Sequence, residues 1–403
     1  MPEAVIVDTI RTPIGRAFKG SLAQLRPDEM GAYVVDKLLE RNPEVDPASV
    51  EDLFCGCGMP QGLQAFNIGR IISLLSEKLP QEVNGVTVSR YCSSSLDAIR
   101  HAGNAIKAGE GDVYIAAGVE WVSRYNERTE PAGAADQNEN LQGNDGQPNA
   151  YIEMGETAVN VAKKYEVSRA DMDKFAQRSQ ELAVQSQEDG FFDREIVPVT
   201  LPDGSEVAKD DGPRASSTLE KLSELDEAFG GGGVTAGNSC PLNDGAAAVL
   251  LMSDTKAKEL GLTPRARIVT AATYGNEPEY MGVAPIGAIK KVLDRTGMTM
   301  SDITSTAAAP SLSGHELPAV TPPPPKASGS WESFSRVEEA RGPSSLATSV
   351  PSGRVTGTIS RSKKPSSCDL TASSWERCAN LSMSARLTSY FLATLTAVMP
   401  MSM

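Results

Sequence analysis

The chain has 403 residues and a mass of 42.6 kDa, with 40% apolar and 22% charged residues, enough for two or three units or one large α/β body with a sizeable core. Thirty-eight Lys and Arg against 52 Asp and Glu leave a net charge of −14, which argues against a general nucleic-acid binder, because such affinity comes from neutralising phosphates. No apolar run reaches the roughly 18 residues of a membrane helix, Met1-Pro2-Glu3-Ala4 does not read as a secretory leader, and Cys55, Cys57, Cys92, Cys240, Cys368 and Cys378 lack paired metal spacing, so a cytoplasmic protein with reduced thiols and no metal is expected.

Ala4–Asp8 reads as a short apolar strand. Pro27–Arg41 reads as a helix, with Met30, Val34 and Leu38 on one face and Pro43 and Pro47 ending it. Val50–Gly56 follows as a strand, Ile68–Leu79 as a helix, Val86–Tyr91 as a strand and Ser93–Lys107 as a small-residue helix. Asp112–Val119 is apolar without alternation, as suits a strand covered on both faces of a parallel sheet. The repeated strand–helix order predicts a layered α/β fold. Arg124–Ala150 is polar and reads as a long loop. A helix begins at Ser168, with Asp171 as its capping partner, Met172, Phe175 and Leu182 on its inner face and Gly190 as terminator. Residues 124–235 therefore read as an insertion on the sheet, able to form a lid or binding wall.

Gly230–Gly233 and the following Val234-Thr235-Ala236-Gly237-Asn238 carry no bulky side chains to obstruct a ligand, although a Gly run by itself usually marks a surface loop. Leu242–Ala248 then lead into an apolar strand, Val249–Met252. The opening pattern restarts with a strand at Arg267–Ala271 and a helix at Pro285–Thr296, ended by Gly297. Met300-Ser301-Asp302-Ile303 begins the same move into a strand as Val50–Phe54, and the pattern stops there. Residues 1–303 carry 29 basic and 46 acidic residues; residues 304–403 carry 9 and 6, with 21 Ser, 10 Thr and 10 Pro, a composition that does not bury enough apolar area to offset its ordering entropy.

Arg90-Tyr91-Cys92-Ser93-Ser94-Ser95 joins a strand to a helix. At a helix start, unpaired amides and the positive end of the macrodipole favour a thiolate and an oxyanion, so Cys92 is a candidate nucleophile; the alternative is a small buried residue. His101 lies nine residues further, about 13 Å along the helix, too far for a hydrogen bond to Cys92. His315 stands in the Ser/Pro-rich tail with nothing to fix it as a base.

These motifs resemble the thiolase family: Ile10–Gly15, Asn67–Arg70, Cys92–Leu96, Gly118-Val119-Glu120 with Ser123, Val234–Asn238 and Asn243–Ala247 follow one another in the family's order, over about residues 3–303. The resemblance implies a five-layer αβαβα fold, with residues 1–262 as the N-terminal domain, a loop domain at about 124–235, and 263–303 as the start of an incomplete C-terminal domain followed by a poorly ordered, non-homologous tail. It implies acyl transfer, in which a 3-oxoacyl-CoA and CoA give acetyl-CoA and a shortened acyl-CoA, as in fatty-acid β-oxidation. Coenzyme A would be a substrate and no cofactor would be held permanently. The expected partners are acyl-CoA and CoA within a homodimer or homotetramer, with no nucleic acid and no membrane. By the same resemblance Cys92 carries the acyl group, and Met154, Arg214, Phe229, Ala236 and Ser239 line the CoA site, with Cys240 where Ser is commoner. Three family motifs have no counterpart after Ile303: Asn-Glu-Ala-Phe, Gly-His-Pro and a second reactive Cys; Cys368 and Cys378 lack the accompanying glycines. Impaired catalysis, or a non-catalytic acyl-CoA-binding remnant, is therefore expected, and a misread or misjoined coding frame near residue 303 would account for the tail.

Overall fold

Alternating apolar strands and amphipathic helices condense into one mixed sheet with helices on both faces. The computed structural model describes residues 1–124, 136–302 and 398–399. In chain order the strands are β1 (Ala4–Arg11), β2 (Gly15–Arg16), β3 (Val50–Gly56), β4 (Asn84–Val88), β5 (Val113–Trp121), β6 (Val199–Thr200), β7 (Glu206–Val207), β8 (Asn243–Ser253), β9 (Ala266–Ile268) and β10 (Val398–Met399). The helices are α1 (Pro27–Arg41), α2 (Ile68–Leu75), α3 (Ser94–Ala108), α4 (Met154–Lys164), α5 (Arg169–Glu188), α6 (Leu219–Ser223), α7 (Asp254–Glu259) and α8 (Ala284–Thr296).

The sheet runs β10-β9-β1-β8-β5-β3-β4, with β2 joined to β8, and β6 and β7 form a separate ribbon. β3 pairs in parallel with β4 and β5, whereas β8 lies antiparallel between β5 and β1. The sheet is therefore mixed rather than parallel. β5 is buried along nearly its whole length, as its unalternating sequence requires. On one face α1 buries Val34, Val35, Leu38 and Leu39 with Leu53, Ile115 and Leu250. On the other, α3 buries Ala98, Ile99, Ala102 and Ile106 with Tyr114, Ala116 and Leu251.

β9, the expected first strand of a second half, pairs with Val5 and Ile6 of β1 and extends the first sheet. That pairing satisfies backbone groups β1 would otherwise present at an open edge. The expected break at 303 and the tail beyond it, with His315, Cys368 and Cys378, lie outside the described residues apart from β10.

Between β5 and β8 the chain makes α4, α5 and α6. Ser168 caps α5 as expected, its Oγ accepting from the Asp171 amide at 3.2 Å, and Gly190 stands just beyond the end with φ 68°. Phe175 does not face inward: it is 62% exposed, while Asp173 and Ala183 take the buried positions. The polar Asp173 holds the inner face because Arg169 Nε donates to it at 2.7 Å and Asn238 Nδ2 at 2.9 Å.

This inserted region is tied to the sheet through Arg11 at the end of β1. Its guanidinium donates to Glu195 at 2.7 Å and to both oxygens of Asp210 at 2.7 and 3.0 Å, and lies 5.2 Å from the Phe192 ring centroid. All three charged side chains are nearly buried. Removing the cation strands two buried carboxylates, so R11M should lose roughly 3–5 kcal/mol in a denaturant titration. A loss under about 1 kcal/mol would show the pairing to be replaceable.

Candidate active site

The strand-to-helix turn after β4 is built from short side chains that bind their own backbone. Ser94, 2% exposed, accepts from the Arg90 amide at 2.8 Å through Oγ and donates to the Tyr91 carbonyl at 2.5 Å. The Ser93 amide donates to Arg90 O at 3.1 Å, and the Ser94 amide to Tyr91 O at 3.0 Å. This tight winding forces Tyr91 to φ 44°, a left-handed conformation unusual for a bulky residue. It sets the half-buried Cys92 immediately before the Ser93 cap of α3. Gly56 at the end of β3 abuts the same helix start: a Cβ there would lie 2.3 Å from the Ser95 amide nitrogen, so only Gly permits this approach.

Arg90 is fixed in turn by Asp97, one turn into α3. Arg90 Nε and Arg100 Nη1 donate to its two oxygens at 2.8 and 3.0 Å. Burial alone would raise the Asp97 pKa, but the hydrogen bonds from Arg90 and Arg100 outweigh it and hold the carboxyl below its ordinary value. With the folded value lowered, this support is present above the unfolded carboxylate pKa and is lost as pH falls through the folded one.

The other thiols of the described residues are placed differently. Cys55 and Cys57 are buried in the sheet core. Burial, then the charge of Glu120, pushes the Cys55 thiol up to about 12, and Cys57 is raised by the same causes with Cys55 as a third. Burial pushes Cys240 up to about 11. Such thiols stay protonated at neutral pH and make poor nucleophiles. His101 sits on the exposed side of α3, stacked on Phe54 at 5.9 Å between centroids and 3.7 Å from Asp97. It is an exposed residue that shares Asp97 with Arg90, nine positions along the chain from Cys92.

The CoA-site candidates fall on the inserted region. Met154 opens α4, and the Phe229 ring packs on the next residue, Gly155, where a Cβ would meet the ring at 2.3 Å. Ala236 and Ser239 lie on the loop from Val234 to Cys240, with Ala236 exposed and Ser239 half-buried. Asn238 fixes this loop: its Oδ1 accepts from the Thr235 amide at 2.8 Å, and its Nδ2 donates to Gly233 O and to Asp173 of α5. Arg214 stands across α5, its amide donating to Gln180 at 2.8 Å, beside a groove of about 210 Å³ lined also by Gln177, Val184 and Thr218.

Register brings the loop and the elbow to one end of the sheet. Gly56 and Ala247 both pair with Gly118, and Asp244 pairs with Trp121, so the ends of β3 and β5 and the beginning of β8 coincide. The loop 234–240 enters β8 at this end, where β4 leads into Cys92. The parallel strands β3, β4 and β5 all end there, on the side where α/β folds commonly bind ligands.

Sequence reasoning assigned no role to the polar groups beneath the elbow. Gln64, 0% exposed, donates through Nε2 to Met59 O at 2.7 Å and to Glu120 at 3.0 Å, and accepts from the Trp121 amide. Glu120 also accepts from the Gly58 and Met59 amides at 2.7 and 3.2 Å. The available signals were a carboxylate ending an otherwise apolar strand and the place of Glu120 and Ser123 in a family-like motif, neither of which gave a role. Ser123 likewise donates from its amide to Asp244 at 2.9 Å and from Oγ to the other oxygen. Among the described residues no group of three or more His, Cys, Asp or Glu is arranged to hold a metal ion, and no helix is long and apolar enough to cross a membrane.

Comparison with known proteins bears on the whole arrangement. Models of the thiolase N-terminal domain and the thiolase C-terminal domain match residues 4–255 and 262–319. The chain is 42% identical over 319 residues to a 3-oxoadipyl-CoA/3-oxo-5,6-dehydrosuberyl-CoA thiolase of Escherichia coli, covering 75% of this chain and 79% of that protein. It is 42% identical over 316 residues to a 3-ketoacyl-CoA thiolase of Bacillus subtilis, with the same coverage. The crystal structure of the dimeric peroxisomal thiolase of Saccharomyces cerevisiae superposes with a TM-score of 0.70 at 36% identity, over 75% of this chain and 77% of that one.

Proposed function

The chain belongs to the thiolase family of acyltransferases, which use coenzyme A as a substrate, and from that premise we propose that Cys92 is its acyl carrier and that loss of the C-terminal acid/base groups impairs turnover. The Cys92 sulfur attacks the 3-carbonyl of a 3-oxoacyl-CoA. The C2–C3 bond breaks, the electron pair leaves on C2 and takes a proton to give acetyl-CoA, and the shortened acyl group stays on sulfur as a thioester. The thiol of a second CoA then attacks that thioester and frees Cys92. The observation that carries this reading is the place of Cys92: half-buried, before the first turn of α3, held by Ser94 and by the Arg90–Asp97 pair. Amides at a helix start stabilise both a thiolate and the oxyanion formed by its attack.

Met154 and Phe229 at the head of α4, with Ala236 and Ser239 on the facing loop, suit an apolar wall for the pantetheine arm. Arg214 suits the anionic nucleotide as a local cation in an acidic protein, with Glu181 and Glu188 on the same groove limiting how much of it an anion would occupy. The support for a homodimer is the edge strand β4, last in the sheet order among the described residues, with Val86 on it and Phe66, Leu74 and Leu75 in and before α2 exposed. A cytoplasmic location accords with cysteines that form no disulfide among the described residues.

The test is incubation of the full chain with acetoacetyl-CoA, followed by peptide-resolved mass spectrometry. An acetyl adduct confined to the Cys92 peptide is the expected result. The alternative, a non-catalytic acyl-CoA-binding remnant, draws on the Arg214 groove, which forms independently of Cys92. Binding without any adduct, unchanged by C92A, would favour it.

A further inference from the structure

We propose that Glu120 is a positioning residue for acyl transfer, clamping the Gly58–Met59 turn so that it braces the strained Tyr91–Cys92 elbow from below. The proposal rests on the reading of Cys92 as the acyl carrier.

Three donors converge on the one carboxylate. The Gly58 and Met59 amides and Gln64 Nε2 all point at Glu120, at 2.7, 3.2 and 3.0 Å. Gln64 closes the circuit on the Met59 carbonyl and on the Trp121 amide next to Glu120. A hydrogen bond to an ionised acceptor is about twice as strong as a neutral one, so an anion is well suited to hold a turn in one conformation.

The clamped turn touches the elbow directly. At Gly58 a Cβ would lie 2.8 Å from Glu120 Oε2 and 3.2 Å from the Tyr91 carbonyl oxygen, so the residue is sandwiched between the carboxylate and the elbow. The adjoining Cys57 amide donates to Val88 O at the end of β4, at 3.0 Å, and Gly56 rests against Ser94 and Ser95. Tyr91 at φ 44° persists only where its surroundings over-determine it. Arg90–Asp97 fixes the elbow from the helix side, and the Glu120 turn fixes it from the sheet side. Slack on either side moves the sulfur relative to the amides that receive the oxyanion, and a displacement of about 1 Å is enough to lose roughly 10²-fold in rate.

Glu120→Gln keeps size and shape but turns one acceptor oxygen into an NH₂ that faces N–H donors. Gly58→Ala leaves the carboxylate intact and crowds the turn from within. Three readouts are compared on the full chain: acyl-enzyme formation at Cys92 from acetoacetyl-CoA, alkylation of Cys92 by iodoacetamide, and the thermal melting curve. A positioning role predicts that both variants melt as cooperatively as the wild type and that alkylation, which needs only an accessible sulfur, is little changed. Acylation, which needs sulfur and amides in register, should fall roughly 10²-fold. Wild-type acylation rates in either folded variant would overturn the proposal. So would an equal fall in acylation and alkylation together with early melting, which marks general structural support. If the wild-type chain forms no acyl-enzyme, the Cys92 reading itself fails and takes this role with it, an outcome distinct from an active wild type beside an equally active E120Q.

Discussion

Replacement of Cys92 by Ala should abolish acyl-enzyme formation while leaving the fold intact. Removing the nucleophile of a covalent mechanism costs on the order of 10⁶-fold, because the remaining binding and oxyanion groups have no attacking atom to assist. The structural penalty is small by comparison. Cys92 is only half-buried, and Ser93, Ser94 and Arg90 supply bonds that shape its turn; a loss near 1 kcal/mol is expected for such a truncation. The discriminating measurement pairs the Cys92-peptide adduct with the melting curve. A folded C92A chain that still acquires an acetyl group at the wild-type rate would place the nucleophile elsewhere, against the raised pKa of Cys55, Cys57 and Cys240.

Steady-state thiolysis should be far slower than the acylation half-reaction implies. The family's Gly-His-Pro segment and second reactive Cys have no counterpart after Ile303. Each general acid or base contributes typically 10²–10⁴-fold. By the resemblance, these are the groups that would deprotonate the nucleophile and deliver a proton to C2, so sustained turnover is expected to suffer. His101 does not substitute: it stacks on Phe54 beside Asp97, on the outer side of α3. A single slow acylation event without sustained turnover of acetoacetyl-CoA is the expected trace. A turnover of 1–10³ s⁻¹, ordinary for enzymes, would show that other groups supply the missing proton transfers.

Local chemistry was sufficient for much of this molecule. The four-residue spacing of Met30, Val34 and Leu38 marks α1, the Ser168–Asp171 pair starts α5, and Gly297 at φ 67° stops α8, because caps and amphipathic spacing act within a few residues of each other. The helix-start position and the motif order together marked Cys92 as a candidate nucleophile, and motif order marked Met154, Phe229, Ala236 and Ser239 as candidates for the CoA site. Where distant segments compete, local reading erred. The helix at Ile68 ends at Leu75, not Leu79, because Ser76 turns to Asp36 of α1 and the Glu77 amide follows at 3.0 Å. Phe175 yields the inner face of α5 to Asp173, since two side chains from elsewhere arrive to satisfy that carboxylate.

Tertiary structure alone decided which sheet β9 would join, the antiparallel entry of β8 between β1 and β5, and the Glu120 clamp under the elbow. These depend on partners far apart in sequence: Glu120 meets Gly58 across 62 positions and Gln64 across 56. Periodicity reports which face of an element is apolar. It carries no record of which backbone amide, brought in from another strand, will complete a carboxylate's hydrogen bonds, because that choice is made only when the whole sheet has assembled.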